Sequence, residues 1–287
     1  MFKITFNSQY SNADEIIETL QIHDIYNVYY ETPFTVTEEK YGYGYEENSN
    51  ELVSINVICD SKEEADKNYK ILQDIIKESS LSIVEMDDSN FQVDFEPIDL
   101  NNGYILADPS YDCNDKNKIN FIPQGAFGTG IHETTQDLLR FILDMDLSEK
   151  SVLDIGTGSG ILSIASSIVN ANKVTALDIR DVTEEIEFNS SLNSINNIDI
   201  VVGNAIEDKS LLSGKIYDLV IINIGGEETE LFMPFIKDHI KNNGMLLVSG
   251  LVEWSYEEVK TIVESYSFAL DSKKQSNEWI SLLFHKI

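Results

Sequence analysis

The chain has 287 residues, 42% of them hydrophobic, which suffices for two domains that each have a core. Its 50 acidic residues outnumber its 20 lysines and arginines, so the formal net charge is −30. Phosphate binding needs clustered basic side chains, so nucleic acid is disfavoured as the main partner, and the charge either favours a basic partner or only aids solubility.

The apolar runs and the cysteines narrow the class of protein further. No stretch has the length of a membrane span, and the N-terminus lacks the apolar core of a signal peptide. Cys59 and Cys113 have no metal-type spacing. We therefore expect a cytoplasmic protein with reduced thiols, no membrane contact and no metal site.

The first hundred residues show a mixture of strand and helix patterns. Alternating apolar residues predict strands at 2–6, 27–36, 52–58, 81–84 and 91–95. Apolar residues at helical spacing predict helices at 13–20, after the first strand, and at 62–77, after the third. The tyrosine-rich stretch 41–45 is interpreted as a hairpin tip. This order is that of a ferredoxin-like domain, expected over residues 1–99. The segment 100–120, rich in Asn and Asp, is expected to be a linker before a second domain at 121–287.

A glycine-rich segment opens the second domain, ahead of a helix predicted at 136–145. It reads Gln124-Gly125-Ala126-Phe127-Gly128-Thr129-Gly130-Ile131-His132-Glu133-Thr134-Thr135. The simplest interpretation is that Thr134 caps the helix. Three glycines and three threonines around Phe127 and His132 exceed what a cap requires, so a functional loop is favoured.

A second glycine-rich segment joins a strand at 152–155 to a helix that starts at 161. Its glycines, Gly156, Gly158 and Gly160, allow positive φ angles and close approach to a ligand. The free N–H groups at the start of the helix suit an anion, and ligands bind at this end of parallel strands. The spacing is not the dinucleotide fingerprint G-x-G-x-x-G, because a hydrophobic residue replaces the third glycine.

Strands and helices then alternate to the C-terminus, which predicts a doubly wound α/β domain that ends in a hairpin. The strands are predicted at 173–179, 198–202, 217–223, 245–249, 268–269 and 279–285, and the helices at 184–192, 228–240 and 256–266. Asp178 ends a strand 22 positions after Gly156, where a ribose-binding carboxylate belongs. Asn223 ends another strand, which should share a crevice with the glycine strand. The alternative for both is a polar residue that merely closes a strand.

Two motifs resemble known methyltransferases. The pattern D-x-G-x-G-x-G at 154–160 resembles motif I of the class I enzymes that use S-adenosylmethionine (SAM), and the string 126–135 resembles the more specific signature of the PrmA family, which methylates ribosomal protein L11. The resemblance implies a Rossmann-like, seven-stranded methyltransferase sheet at 121–287 and substrate recognition by the N-terminal domain. It implies SAM contacts at six residues: Thr135, Gly156, Gly158, Asp178, Asn204 and Asn223.

The resemblance also implies the reaction and the partner. Lysine and N-terminal amines of a basic ribosomal protein would be methylated by an expected monomer, without direct contact to nucleic acid. Asn223 is the candidate catalytic residue, because its amide can both donate and accept. His132 is expected to orient or pack, and Phe127 to face the sulfonium or the amine.

Two other functions remain open: a methyltransferase of small molecules, and a SAM-binding ribosome-associated factor without catalysis. The additional N-terminal domain favours a protein substrate. A lysine must lose its proton before it can accept a methyl group, which costs about 4 kcal/mol at pH 7.4. We therefore expect an apolar pocket around the amine and an acidic surface that docks the substrate at a distance.

Overall fold

The computed structural model describes residues 1–76, 80–86, 96–113, 115–124, 128–208 and 210–287. The chain divides into two compact units: Met1–Glu39 with Tyr43–Asp94, and Lys40–Gly42 with Phe95–Ile287. None of the described helices combines the length and the apolarity needed to cross a bilayer.

Two helices and a four-stranded antiparallel sheet form the first unit. Its elements are β1 (Phe2–Gln9), α1 (Ala13–Ile22), β2 (Val28–Tyr29), β3 (Phe34–Glu39), β4 (Gly42–Glu47), β5 (Leu52–Cys59), α2 (Lys62–Ile75) and β6 (Ser82–Glu85). The strand order is β2-β5-β1-β6, while β3 and β4 form a separate hairpin. The order agrees with the expected split β-α-β arrangement, and the ferredoxin-like class itself stays a prediction. The strand expected at 91–95 lies outside the described residues.

The core of the first unit follows from simple patterning. Ile4 and Phe6 alternate along β1 and are buried with Ile55 of β5. Helix α2 begins where the side chain of Ser61 accepts a hydrogen bond from the backbone N–H of Glu64, at 3.1 Å. The apolar face of the helix then packs onto the sheet.

A seven-stranded sheet dominates the second unit, and it confirms the predicted doubly wound domain. Its elements are β7 (Ile98–Asp99), β8 (Tyr104–Ala107), β9 (Asn117–Asn120), α3 (Glu133–Leu143), β10 (Ser151–Ile155), α4 (Ile161–Ile168), β11 (Lys173–Asp178), α5 (Thr183–Leu192), β12 (Ile198–Val202), β13 (Tyr217–Ile222), α6 (Gly226–His239), β14 (Ile240–Val252), α7 (Tyr256–Ser265), β15 (Phe268–Ser276) and β16 (Trp279–Lys286). The strand order is β12-β11-β10-β13-β14-β16-β15, and β16 runs antiparallel to the other six strands.

Burial explains why these strands read as continuous apolar runs. Strands β10 and β13 are covered on both faces, with α3 and α4 packed in one core cluster and α6 and α7 in the other. The chain leaves β10 toward β11 on one side, and β13 lies on the other side. A crevice is therefore expected at the carboxyl end of β10.

The segment expected to be a linker is instead part of the second unit. Strands β7, β8 and β9 form a small sheet within it. Leu106, Ile119 and Phe121 are fully buried and join the core cluster that contains α3 and α4. Asn101, Asn102 and Asp115 lie in bends between these strands, which is why the composition of the segment resembles that of a connector.

Candidate functional site

A cavity of about 570 Å³ lies at the carboxyl ends of β10, β11, β12 and β13. This volume is within the range of small-molecule sites. Its wall contains five of the six predicted SAM-contacting residues: Gly156, Gly158, Asp178, Asn204 and Asn223. The predicted crevice at the switch point is therefore present, and residues far apart in the sequence meet there.

The glycine turn is bent tightly and held against β11. Gly156 has a φ of 68°, and a Cβ built on it would lie 2.5 Å from Cδ1 of Ile224. Gly160 has a φ of 78°, and its Cβ would lie 2.7 Å from Cγ1 of Ile186. The N–H of Gly156 donates to the carbonyl of Leu177 at 2.8 Å. Only glycine meets both requirements, which are the left-handed backbone and the close side-chain contact.

Asp178 links the glycine turn to the end of β11. Its Oδ2 accepts from the N–H of Gly158 at 2.9 Å, and its Oδ1 accepts from the N–H of Arg180 at 3.0 Å. An ionised carboxylate has about four lone-pair sites, so these bonds leave acceptor capacity. Because Asp178 lines the cavity, that capacity is available to hydroxyl groups of a ligand.

The two asparagines of the wall differ in how their side chains are paired. Oδ1 of Asn204 accepts from the N–H of Ile206 at 3.0 Å, which forms a local turn. Oδ1 of Asn223 is buried and has no hydrogen-bond partner among the described residues. A buried acceptor without a partner costs roughly 1–3 kcal/mol. A donor on a bound molecule would relieve that cost, so the site fits a ligand with polar groups at this point.

Asp154 lies below the turn and acts within the protein. Its Oδ2 accepts from Oγ1 of Thr157 at 2.7 Å and from Oγ of Ser163 at 2.8 Å. Burial raises the pKa of this carboxyl to about 6, the nearby negative charge of Asp178 adds to the increase, and the two hydroxyls oppose it. The aspartate of motif I therefore ties the start of α4 to the glycine turn.

The signature loop before α3 meets the glycine turn but does not bring Thr135 to the cavity. Oγ of Ser159 donates to the carbonyl of Gly128 at 2.8 Å. Thr135 is fully buried, its Oγ1 has no partner, and it is absent from the cavity wall in the part of the chain that the structure describes. The contact of Thr135 with SAM therefore stays a prediction, and Thr135 lies outside the wall formed by the other five residues. Phe127 lies outside the described residues.

His132, and not Thr134, caps α3. Its Nδ1 accepts from the N–H of Thr134 at 3.3 Å, and its ring packs edge-to-face on Trp279 with centroids 4.6 Å apart. These contacts support the predicted packing role. A histidine can accept a hydrogen bond at a helix N-terminus as Ser or Asp does, but the usual capping pattern does not include it.

Several residues of the wall were not predicted. Ile179, Ile224 and Leu231 are exposed apolar side chains of the cavity wall, and the carboxylates of Glu207 and Glu228 also lie in it. The expectation of an apolar pocket is therefore met only in part. Leu231 and Glu228 lie on α6, and no local pattern marks them, because only the sheet order brings the start of α6 over the cavity.

Comparisons with known proteins agree with the two motifs. The family described as Ribosomal protein L11 methyltransferase (PrmA) matches residues 1–287. A protein named Ribosomal protein L11 methyltransferase from Fusobacterium nucleatum is 36% identical over 167 residues, or 57% of this chain and 53% of that protein. A protein of the same name from Porphyromonas gingivalis is 34% identical over 194 residues, or 66% of each chain.

A solved structure extends the comparison. The crystal structure of the ribosomal protein L11 methylase from Lactobacillus delbrueckii subsp. bulgaricus has a TM-score of 0.59 and 27% identity, and covers 67% of this chain and 100% of that one. The chain spans about half the length, 53%, of the first curated relatives that it matches. Because the family match runs over residues 1–287, the chain belongs to the PrmA family of ribosomal protein L11 methyltransferases.

Proposed function

We propose that this chain is a SAM-dependent methyltransferase that modifies amino groups of a basic protein, and that ribosomal protein L11 is its substrate. The observation that carries the proposal is the shared cavity, in which the glycine turn, Asp178 and the unpaired Oδ1 of Asn223 meet. Family membership and the names of the relatives support the choice of reaction and substrate. A monomer in the cytoplasm remains part of the proposal.

Each wall residue has a role that suits its chemistry. When bound, SAM supplies an activated methyl group on a sulfonium. Gly156 and Gly158 allow close approach to the backbone, Asp178 accepts from ribose hydroxyls, and Asn204 lies where the adenine edge is expected. Glu207 and Glu228 give the wall a negative potential, which favours a ligand with cationic groups.

The chain must also prepare the acceptor amine. Ile179, Ile224 and Leu231 form apolar surface at the cavity, and they would lower the pKa of an entering lysine by removing water from its ammonium group. Asn223 can then orient the amine through its free Oδ1. Most of the rate would come from holding the two reactants in line, since well-oriented reactions gain large effective molarities.

The test is transfer of labelled methyl from SAM to purified L11, with the labelled residues located by mass spectrometry. Label on L11 is expected, and it should be lost in Asn223→Ala. The matched control is Asn197→Ala, whose amide donates to the carbonyl of Ala171 at 2.6 Å and lies outside the cavity wall. SAM binding without label on any protein would instead support a non-catalytic factor, and label on a metabolite alone would support a small-molecule enzyme.

A further inference from the structure

Helix α5 holds an extended segment of the chain through side-chain hydrogen bonds. Glu185 and Asn189 of the helix, and Asn193 directly after its last residue, are spaced four residues apart, and their side chains pair with the backbone of residues 120–124. We call these three residues the α5 ladder. The segment continues β9 and leads toward the signature loop.

Five hydrogen bonds join the side chains of the α5 ladder to the backbone of the segment. Oδ1 of Asn193 accepts from the N–H of Asn120 at 2.9 Å, and its Nδ2 donates to the carbonyl of Asn120 at 2.7 Å. Asn189 makes the same pair with Ile122, at 2.9 and 3.1 Å. Oε1 of Glu185 accepts from the N–H of Gln124 at 3.1 Å.

The repeat distances explain why a helix can replace a strand here. Four residues of an α-helix advance about 6.0 Å, and two residues of a strand advance about 6.6 Å. An asparagine amide has one acceptor oxygen and two N–H donors, so it reproduces the pairing of a neighbouring strand. The ladder therefore pairs the backbone of the segment that runs on from Asn120, the last residue of the edge strand β9, and this backbone would otherwise be exposed.

The helix that carries most of the ladder also contacts the glycine turn, whose Gly156 and Gly158 line the cavity. Ile186 of α5 packs against Gly160 of the glycine turn. Asp178 and Arg180, shortly before α5, line the cavity. On the other side, only residues 125–127 separate the held segment from Gly128, whose carbonyl accepts from Ser159 in the same turn. Three residues span at most about 15 Å between the flanking Cα atoms, so the position of Gln124 limits that of Gly128.

We propose that the α5 ladder is a positioning device that sets the place of the signature loop against the glycine turn, and through it the affinity for SAM. Glu185, Asn189 and Asn193 do not line the cavity, so they act through the loop. The inference rests on the proposed function, because it assumes that the cavity binds SAM.

The first measurement uses no ligand. In Asn189→Leu, the N–H and carbonyl of Ile122 lose their partners, so backbone hydrogen exchange at 120–124 should become faster than in the wild type. Glu185→Leu removes the acceptor for Gln124, whereas Glu185→Gln retains an oxygen there and should leave exchange close to the wild-type rate. Unchanged exchange in both leucine variants would overturn the proposal.

The second measurement is SAM affinity by calorimetry. Asn189→Leu and Glu185→Leu should weaken it by about 3- to 10-fold, because a loop that is less well positioned holds the glycine turn less firmly, while Glu185→Gln stays within about twofold. Asn197→Ala loses one amide–carbonyl bond away from the ladder, so it should lower the urea midpoint but leave SAM affinity unchanged. Equal SAM affinity in the wild type and the ladder variants would overturn the proposal while the proposed function stands. A wild type that binds no SAM would remove both.

A double-mutant cycle tests the route through the loop. Ser159→Ala removes the hydroxyl that holds Gly128. If the ladder acts through this contact, the loss of affinity in Asn189→Leu with Ser159→Ala should be smaller than the product of the two single losses. Losses that multiply would show two independent effects and would contradict the positioning role.

Discussion

Asp154→Asn should stabilise the chain progressively as the pH rises. The folded state holds the pKa of Asp154 at about 6, compared with 3.8 as its ordinary value, because the carboxyl is buried. A raised folded pKa means that the unfolded chain ionises first, so the wild type loses stability between pH 3.8 and 6 and does not recover it above. Two pKa units correspond to about 3 kcal/mol at neutral pH.

The pH dependence separates the stabilisation that comes from the shifted pKa from any effect of the substitution on packing. Asparagine keeps an oxygen that can accept from the hydroxyls of Thr157 and Ser163, and any difference in these bonds is the same at every pH. About half of the 3 kcal/mol, roughly 1.5 kcal/mol, should develop between pH 5 and pH 8. The comparison of variant and wild type cancels the contribution of the other carboxylates if they are independent of this position.

The assay is urea unfolding at several pH values, followed by tryptophan fluorescence. Trp254 and Trp279 are the two tryptophans of the chain, and both lie in the second unit with Asp154. The signal therefore reports on the unit that carries the substitution. A difference in unfolding free energy that stays constant from pH 5 to pH 8 would refute the reasoning, since it would mean that Asp154 does not titrate in this range.

Four further predictions concern the cavity and the charge. Asp178→Ala should weaken SAM binding by about 10- to 100-fold in calorimetry, because hydrogen bonds to a charged carboxylate are lost. Asp181→Asn, which lies outside the cavity wall, should leave the affinity for SAM unchanged, and equal losses in the two variants would contradict the role of Asp178 at the ribose. Gly160→Ala should lower the unfolding free energy by at least about 1 kcal/mol more than Gly214→Ala, because a methyl group at Gly160 would collide with Ile186. Gly214 is the matched control, since its φ of 77° is nearly the same but its surroundings are open; equal losses would show that the side chain of Ile186 moves aside at no cost. Asn223→Ala should reduce methyl transfer about 100-fold at full stability, since its Oδ1 has no partner to lose among the described residues; an equal fall in stability would contradict this. Affinity for L11 should fall steeply with added salt if the charge of −30 docks the substrate, and a constant affinity would show that it serves solubility.

The sheet and most of the cavity could be predicted because local patterns carry them. The apolar runs of β10 and β13 indicate strands buried on both faces, and the glycines that follow β10 indicate the turn. Asp178 and Asn223 end their strands, and strand ends in a doubly wound sheet point to one crevice. Their meeting at one cavity thus follows from sequence position and topology together.

The remaining features depend on tertiary contacts that no local pattern reveals. Thr135 belongs to the signature string, but its burial at the start of α3 depends on how that helix packs, which the string does not reveal. The residues of β8 and β9 alternate too briefly to be recognised between Asn- and Asp-rich turns. The wall position of Leu231 requires knowledge of where α6 begins relative to four other strands.

Two aspartates at opposite ends of neighbouring strands have pKa values that are shifted in opposite directions. Asp218 lies at the start of β13; burial acts to raise its pKa, but hydrogen bonds from Lys241 and Ser151 to its Oδ2 outweigh this effect and lower the pKa. Asp154 lies near the opposite end of β10, and its pKa is raised despite two hydroxyl donors. The unpaired Oδ1 of Asn223 and the left-handed glycines occur at that same carboxyl end. Left-handed backbone also occurs before β10 and β11, at Glu149 and Asn170, so the glycines do not set the carboxyl end apart. What distinguishes that end is the raised pKa of Asp154 together with the unpaired acceptor of Asn223, since strained or unsatisfied groups that persist in a fold tend to cluster at functional sites.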